Sequence, residues 1–245
     1  NEHIQFGHKV IAADWDSDTG LWTCQLQQVE TGEKGLLTCK FFFACTGYYR
    51  YAQGYTPDFA GIDDFQGPVV HPQQWPEGLN VEGKRVTIIG SGATAVTLAP
   101  TLAKAGATVT LLQRSPTYIV SQPDSDKQAK FWRRVLPAKM AHGANRWRHI
   151  LRQMFFYQMS KRRPEMIKKL LVKGVKYQLG KNYDVEKHFV PSYKPWDQRV
   201  CLVPNGDFFR AIRKGSVTMV TEQIDRLDAT GIQLKSGERL EADIV

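Results

Sequence analysis

The sequence has few of the features that place a chain in a membrane or build a metal or disulfide centre. Its four cysteines form no Cys-x-x-Cys pair and have no companion histidine spacing, so neither a metal site nor a dithiol redox centre is predicted. The longest apolar stretches, such as residues 36–45, contain polar residues and fall far short of the roughly 20 residues that span a bilayer. No basic segment leading into an apolar one marks a signal peptide, so a cytoplasmic location is expected.

Positive charge is concentrated in one part of an otherwise ordinary globular composition. The formal charge is +9, and 17 of the 33 lysines and arginines lie between Lys127 and Lys187, mixed with aromatic residues. A cap over a substrate site, a peripheral membrane surface and an RNA-binding face would all show this pattern. We favour the cap and expect no nucleic-acid partner, because surface helices often lay Lys and Arg stems over an apolar face.

Periodicity and turn residues divide the chain into three parts. Residues 1–47 are expected to form a β-meander, with strands at 9–13, 22–26 and 41–45 and a turn at residues 16–20. Residues 48–83, rich in Gly, Pro and Tyr, are expected to be an interdomain linker. Residues 84–245 predict an α/β domain with a basic helical insertion at about 124–190. From Val217 onward the chain is expected to return to strands, with turns at residues 229–231 and 236–238.

A glycine turn between a strand and a helix predicts a dinucleotide site. Residues 85–89 are a short β-branched run, 93–105 have helical composition and 109–112 form the next strand, which together make one βαβ unit. The connecting residues fit the pattern G-x-G-x-x-G/A, whose glycines allow a tight turn and close approach of a pyrophosphate to the helix N-terminus. The predicted fold is therefore a Rossmann-like, three-layer α/β domain with a parallel sheet. The expected cofactor-binding residues of this turn are Gly90, Ser91, Gly92, Ala93, Thr94, Ala95 and Val96.

The residues after the second strand predict which nucleotide binds. An Asp or Glu at this position would bind the ribose 2′-hydroxyl of NAD, whereas here the chain has Gln113, Arg114 and Ser115. Arg114 offers a permanently charged, bidentate partner for a 2′-phosphate, and Ser115 can add a hydrogen bond, so NADPH is predicted over NADH. The alternative is that Arg114 is an ordinary solvated cation.

The linker contains a motif that resembles a known family. Residues 65–76 match the F-x-G-x-x-x-H-x-x-x-W-P fingerprint of type I Baeyer–Villiger monooxygenases through Phe65, Gly67, His71 and Trp75-Pro76. It stands, as in that family, just before the glycine turn. The resemblance implies that residues 1–47 are the C-terminal part of an FAD-binding domain and that 84–245 bind NADP. His71 and Trp75 are more often structural residues in such a proline-rich segment.

The resemblance also implies a reaction and its residues. In that family NADPH reduces FAD, and a C4a-peroxyflavin then converts ketones to esters or lactones with O2 as co-substrate, or oxidises sulfides and thioamides. Arg199 matches the arginine that supplies a fixed cation in the active site, and Asp197 is expected to orient it. Val10 matches a valine whose backbone contacts FAD.

Two alternatives remain at the level of sequence. One is a flavin-containing monooxygenase that oxidises nitrogen or sulfur, although Trp75-Pro76 favours the Baeyer–Villiger type. The other is a nucleotide- or membrane-binding module without turnover. A weak repeat between residues 31–47 and 236–245, together with the start at Asn1, predicts that the chain is a central fragment of a longer protein. The oligomeric state and the natural substrate have no signature in the sequence.

Overall fold

A computed structural model describes residues 3–47, 49–50, 52 and 54–245. The chain forms two compact units, Asn1–Ala52 and Gln53–Val245. The first unit is an antiparallel sheet and the second is an α/β domain. The division between them falls inside the segment expected to be a linker, and residues 54–83 belong to the second unit.

The first unit is a β-meander of three strands in the order β1-β2-β3. Its strands are β1 (His8–Asp16), β2 (Leu21–Gln28) and β3 (Lys34–Cys39). The turn between β1 and β2 lies at the predicted place, where the Asp16 carboxylate accepts the N–H of Asp18 at 2.9 Å and the hydroxyl of Thr19 at 2.8 Å. Gly20 closes the turn with a φ of 65°, a conformation that favours glycine.

The predicted third strand at residues 41–45 is wrong. The third strand is β3, and no strand is assigned to residues 41–47. Gly32, with a φ of 74°, turns the chain so that Lys34 pairs with Gln27. Residues 34–39 thereby occupy the second edge of β2, whose first edge already pairs with β1. The aromatic run Phe41–Phe43 has strand-like composition, but composition does not supply a pairing partner.

The second unit is built around the predicted βαβ element. It consists of β4 (Arg85–Ile89), α1 (Ala93–Lys104) and β5 (Thr108–Gln113), and the two strands pair in parallel from Arg85↔Thr108 to Ile89↔Leu112. A third parallel strand, β8 (Val217–Thr221), pairs with the far edge of β5. Val109, Leu111 and Leu112 of β5 are buried, as expected for a strand covered on both faces of a parallel sheet.

The chain then crosses to the other side of β4. It first makes an antiparallel meander of β9 (Ile224–Asp228), β10 (Gly231–Leu234) and β11 (Arg239–Glu241), whose turns lie where the sequence predicts them. Ile244 next forms a parallel bridge with Val86 of β4. The strand order therefore reverses at β4, and such a reversal opens a crevice at the carboxyl ends of the strands.

The predicted helical insertion is present, and it lies between two strands that pair in parallel. Those strands are β6 (Tyr118–Gln122) and β7 (Val200–Pro204). The helices of the insertion are α2 (Lys127–Val135), α3 (Ala138–Arg162), α4 (Pro164–Leu179) and α5 (Val185–Phe189). Neither β6 nor the short helix after β7, α6 (Asp207–Arg213), is predicted by periodicity. Within the described residues, no helix has the length and apolar content needed to cross a bilayer.

An apolar core fixes the insertion to the parallel sheet. Phe189 of α5 and Phe208 and Phe209 of α6 are fully buried, with ring centroids 5.8 to 6.5 Å apart. They belong to the same cluster as Val96 and Ala99 of α1. The N-terminus of α1 is thereby held at a fixed place relative to β7.

Candidate functional site

The glycine turn has the geometry of a pyrophosphate-binding loop. Gly90 adopts a φ of 120°, and its N–H donates to the carbonyl oxygen of Leu112 at 2.7 Å. Gly92 is the N-cap of α1, where no side chain caps the helix and no acidic residue lies in the first turn. The first intrahelical bond runs from the N–H of Val96 to the carbonyl of Gly92 at 3.1 Å. The N–H groups of residues 93–95 are therefore available to an anion.

Arg199 lies directly against this turn. A Cβ atom placed on Gly92 would be 2.7 Å from Nη1 of Arg199, so the guanidinium packs where any side chain at position 92 would stand. Arg199 is exposed, and no ion pair of its guanidinium occurs in the described part of the chain. A permanently charged donor group thus stands unneutralised beside a helix N-terminus, where it can contact a bound anion.

Two tyrosines position the backbone of Arg199. The hydroxyl of Tyr193 donates to the carbonyl of Arg199 at 3.2 Å, and the hydroxyl of Tyr118 donates to the carbonyl of Tyr193 at 2.8 Å. The two rings contact edge to face, with centroids 5.3 Å apart. Burial raises the pKa of Tyr118 to about 12, which keeps the phenol protonated as a donor. No sequence pattern predicts this pair.

Asp197 does not orient Arg199, so that expectation is wrong. Its carboxylate accepts from Nζ of Lys161 on α3 at 2.9 Å, and this hydrogen bond lowers the pKa of Asp197. The neighbouring Trp196 packs edge to face on Tyr157, one turn earlier on α3. Trp196 has a φ of 69°, and this left-handed backbone turns residues 196 and 197 toward the helix. The Arg199 loop is therefore held by α3.

Arg114 and Ser115 lie at the carboxyl end of β5, beside the glycine turn. Ser91 connects the two segments, since its hydroxyl is 2.9 Å from that of Thr117 and 3.5 Å from the carbonyl of Ser115. Arg114 is exposed and forms no hydrogen bond or ion pair with the residues that the structure describes. Its side chain is therefore available to a phosphate at this edge.

A buried polar network behind Arg114 was not predicted. Gln113 is 1% exposed, and its Nε2 donates to the carbonyl of His188 and to the hydroxyl of Thr221, both at 2.8 Å. Nδ1 of His188 is also 2.8 Å from the Thr221 hydroxyl, and burial lowers the pKa of His188. The network fixes the ends of β5 and β8 to α5. In the sequence, this network is indicated only by Gln113, a polar residue that follows two leucines at the last position of a strand.

The fingerprint segment pairs with the end of the chain. Val245 donates its N–H to the carbonyl of Pro68 at 3.0 Å and accepts from the N–H of Val70 at 2.8 Å, which is a parallel pattern. A Cβ on Gly67 would lie 2.3 Å from the carbonyl oxygen of Asp243, so only glycine fits there. Residues 68–70 therefore extend the sheet beyond Ile244, and His71 follows at its carboxyl edge.

His71 and Trp75 line a cavity next to this edge. Nδ1 of His71 accepts the N–H of Gln73 at 3.2 Å, and the imidazole packs against the backbone of Gly54, where a Cβ would lie 2.1 Å from the ring. Trp75 is 40% exposed. Both residues border a cavity of about 410 Å³ that Ile89 also lines and that Arg199 does not. His71 and Trp75 therefore line a different cavity from the one beside the Arg199 loop.

A larger, mostly apolar cavity of about 640 Å³ lies beside the Arg199 loop. It opens between the β6-β7 pair and helices α3 and α4, and it is lined by Trp196 and Val200, which flank residues 197–199 in the chain. Phe156, Tyr157 and Leu171 supply much of its apolar wall, and Arg152 and Gln178 supply polar groups. A cavity of this size and lining suits a small apolar molecule.

Val10 belongs to the first unit. It pairs with Leu26 of β2, and the register shifts between Val10 and Ala12, so a bulge follows it. Its side chain is 47% exposed. A bulge leaves backbone groups outside the ladder, which is compatible with a ligand contact through the main chain.

Comparisons with known proteins identify the family of the chain. The family model described as "Flavin-binding monooxygenase-like" matches residues 1–241. The chain is 54% identical over 246 residues to the FAD-containing monooxygenase EthA of Mycobacterium tuberculosis (strain ATCC 25618 / H37Rv), which covers 100% of this chain and 50% of that protein. It is 47% identical over 243 residues to the probable FAD-binding monooxygenase AlmA of Acinetobacter baylyi, covering 99% of this chain and 48% of that protein. The chain thus spans about half the length of these curated relatives.

Solved structures share the fold. An oxidized steroid monooxygenase bound to NADP superposes with a TM-score of 0.71 at 18% identity, over 99% of this chain and 51% of the other. A complex of OTEMO with FAD and NADP gives a TM-score of 0.66 at 22% identity, over 99% of this chain and 52% of the other. At these identities the likeness establishes the fold alone.

Proposed function

The chain belongs to the flavin-binding monooxygenase-like family, and on that premise we propose that it provides the NADPH site of an FAD-dependent Baeyer–Villiger monooxygenase. The observation that supports this most directly is the contact between the Arg199 guanidinium and Gly92 of the nucleotide turn. The proposal assigns residues 1–47 to the FAD-binding domain, 48–83 to the linker and 84–245 to the NADP-binding domain. The relatives named as FAD-containing or FAD-binding support this assignment.

The residues of the second unit fit the nucleotide. The free N–H groups of residues 93–95 and the side-chain-free surface of Gly92 suit a pyrophosphate. The exposed guanidinium of Arg114, which has no partner within the described ranges, suits a 2′-phosphate, with Ser115 beside it. For FAD, the proposal rests on the backbone of Val10, next to the bulge of β1.

The bound cofactors would supply hydride transfer and oxygen activation, and the residues of the chain supply position and charge. The guanidinium of Arg199 is a fixed cation, so it can stabilise negative charge that develops on a carbonyl oxygen of the substrate. Tyr193 and the contact between Trp196 and α3 hold the Arg199 backbone while its side chain remains free. A preoriented cation of this kind loses little energy to reorganisation during the reaction.

The apolar cavity beside Trp196 suits a ketone or a sulfide or thioamide as the substrate, with O2 as the second reactant. Its apolar wall would bind the hydrocarbon part, and Arg152 and Gln178 could orient a polar end. Sulfide oxidation would use the same cavity. Trp75-Pro76 in the fingerprint favours the Baeyer–Villiger type over the nitrogen-oxidising flavin monooxygenases.

The proposal is tested with the FAD-loaded enzyme, NADPH, O2 and an aryl ketone, by mass spectrometry of the product. We expect an ester one oxygen atom heavier than the ketone, formed with NADPH and not with NADH. Arg199→Ala should still oxidise NADPH but release no ester, whereas Arg213→Ala, which removes an exposed arginine at the end of α6, should behave as wild type. Unchanged ester formation by Arg199→Ala would exclude the proposed role.

A further inference from the structure

Helices α2 and α3 have an unusual charge composition. Residues 127–162 contain ten lysines and arginines and no aspartate or glutamate. Among the described residues, only two of the ten form ion pairs with carboxylates, namely Arg148 with Asp126 and Lys161 with Asp197. Eight cations of α2 and α3 therefore have no carboxylate partner among the described residues, which gives these helices a positive potential that favours an anionic partner.

Helix α3 also has apolar residues on the side that faces away from the protein. Ala141, Phe156 and Ser160 face inward and are buried or partly buried. On the opposite side, a stripe of exposed apolar side chains recurs at helical spacing. Its members are Met140, Trp147, Leu151, Met154 and Phe155, each more than half exposed. Trp147 is 62% and Phe155 is 68% exposed.

The neighbouring α2 continues this surface. Phe131 and Val135, four residues apart on one side of α2, are also more than half exposed. The helix is joined to α3 because Asp126, its N-cap, pairs with Arg148. Arg133 and Arg134 lie in its last turn. Together the two helices form what we call the α2–α3 surface, an exposed apolar stripe flanked by cations.

We propose that the α2–α3 surface docks on an anionic lipid bilayer, lying in the headgroup region without crossing it. An exposed apolar stripe bordered by Lys and Arg is the arrangement of interfacial helices, which bury the stripe while the cations contact lipid phosphates. Methionine and leucine make up most of the stripe on α3, and they offer no ring for stacking on nucleic-acid bases. This partner is additional to the proposed function and does not depend on it.

The same helix connects the lipid-facing stripe with the apolar cavity. Phe156 and Tyr157 of α3 line the cavity, whereas Leu151 and Phe155 lie on the outward side. Docking would therefore bring the cavity close to a phase in which apolar molecules concentrate. Binding to lipid can be measured without turnover, so its failure and failure of the oxygenase proposal are separate results.

The test is co-sedimentation of the full chain with vesicles of phosphatidylglycerol and phosphatidylcholine, compared with phosphatidylcholine alone. We expect binding to the anionic vesicles only, and loss of most binding at high salt, since screening shortens electrostatic range to about 3 Å at 1 M. A triple variant, Trp147→Ser, Leu151→Ser and Phe155→Ser, should lose at least about tenfold in vesicle binding, as expected when several apolar side chains no longer enter the interface.

Matched changes on α4 provide the control. Tyr177→Ser removes a side chain that is 86% exposed and is the control for the triple variant. Lys169→Glu with Lys173→Glu is the control for a charge reversal on α2, Arg133→Glu with Arg134→Glu. The α4 variants should bind vesicles as wild type does, whereas Arg133→Glu with Arg134→Glu should bind weakly. Circular dichroism and the thermal midpoint confirm that each variant is folded.

Several results would overturn the proposal. The proposal fails if the wild-type chain does not bind anionic vesicles or if the triple variant binds them fully. It also fails if the α4 variants lose as much vesicle binding as the α2–α3 variants. Concentration-dependent dimerisation that the triple variant abolishes, seen by sedimentation velocity without vesicles, would assign the surface to a second copy of the chain. RNA binding without vesicle binding would assign it to nucleic acid.

Discussion

At the scale of single residues, the position of Arg199 follows from the absence of a side chain at Gly92. The guanidinium occupies the space that a Cβ would fill, next to N–H groups that no side chain caps. Two sources of positive potential thus meet at one point, one fixed in the helix and one on a movable side chain. Arg114 adds a third at the end of β5, and the two arginines can be replaced separately.

The exposed guanidinium of Arg114 should determine the preference for NADPH. Arg114→Ala should weaken NADPH binding by about 2 kcal/mol, or roughly 30-fold, because a charged hydrogen-bond donor to the 2′-phosphate is lost. NADH affinity should change little. Titration calorimetry with both nucleotides measures the difference, and Arg213→Ala is the control cation. An equal loss of affinity for NADH and NADPH would show that Arg114 does not bind the 2′-phosphate.

Gly92→Ala should separate nucleotide binding from stability. The new methyl group would stand 2.7 Å from Nη1 of Arg199, which can move because it is the end of a flexible side chain. The thermal midpoint should therefore stay within about 2 °C, as for a change of under 0.5 kcal/mol. NADPH affinity should fall at least about tenfold, because the pyrophosphate loses its close approach to the backbone. Loss of folding together with binding would contradict this expectation.

At the scale of secondary-structure elements, the fingerprint segment acts as an edge strand. Residues 68–70 pair with Val245, and Ile244 in turn bridges to β4. The segment expected to connect two domains therefore contributes backbone hydrogen bonds to one of them. Its glycine has a packing function that a sequence motif alone does not reveal, since the contacting carbonyl belongs to Asp243.

Gly67→Ala should destabilise the second unit. The added Cβ would meet a backbone oxygen at 2.3 Å, and backbone cannot move aside without breaking the ladder around Val245. We expect a loss of about 1 to 3 kcal/mol in the free energy of unfolding, measured by urea denaturation. Gly143→Ala in α3, where nothing lies within 4 Å of the new Cβ, should instead add about 0.5 to 1 kcal/mol. Comparable stability of both variants would exclude the close contact at Gly67.

The pairing of residues 243–245 with β4 should weaken in acid. The Arg85 guanidinium and the Arg85 N–H hold the pKa of Asp243 at about 2, below its usual value of 3.8. A lowered carboxylate pKa stabilises the fold above the unfolded value, and the contribution disappears as the pH falls from about 4 through about 2. Asp243→Asn keeps a hydrogen-bond acceptor but loses the charge. Its thermal midpoint should lie below that of wild type at neutral pH and converge with it near pH 2.

The elements that the sequence predicted are those with a local signal. The βαβ unit, the turns around β10 and the helical character of 124–190 follow from periodicity and from glycine placement. The third strand of the meander was misplaced because pairing depends on the turn at Gly32 rather than on aromatic content. Asp197 was misassigned because its partner, Lys161, is remote in sequence and close only after α3 has folded. The Gln113 network is likewise a tertiary feature.

At the scale of the whole second unit, the strand order determines which segments meet. The order β8-β5-β4 continues on the far side of β4 with Ile244 and then residues 68–70. The chain therefore adds strands first on one side of β4 and later on its other side. Because all these strands are parallel, their carboxyl ends share one edge. The glycine turn, Arg114 and His71 all follow strands at that edge, and Arg199 reaches it from the loop before β7.

This arrangement predicts a pattern of protection when NADPH binds. Hydrogen–deuterium exchange should slow in three segments remote in sequence, residues 90–96, 113–117 and 196–201, because the nucleotide would contact or order each of them. The free N–H groups at residues 93–95 should change most, since they gain an acceptor that the helix itself does not provide. Residues 231–241, in the meander of β10 and β11, should exchange as before, and they serve as the internal reference. Protection confined to residues 90–96 would mean that the nucleotide does not reach Arg114 or the Arg199 loop, and the proposed role of Arg114 in binding the 2′-phosphate would then fail.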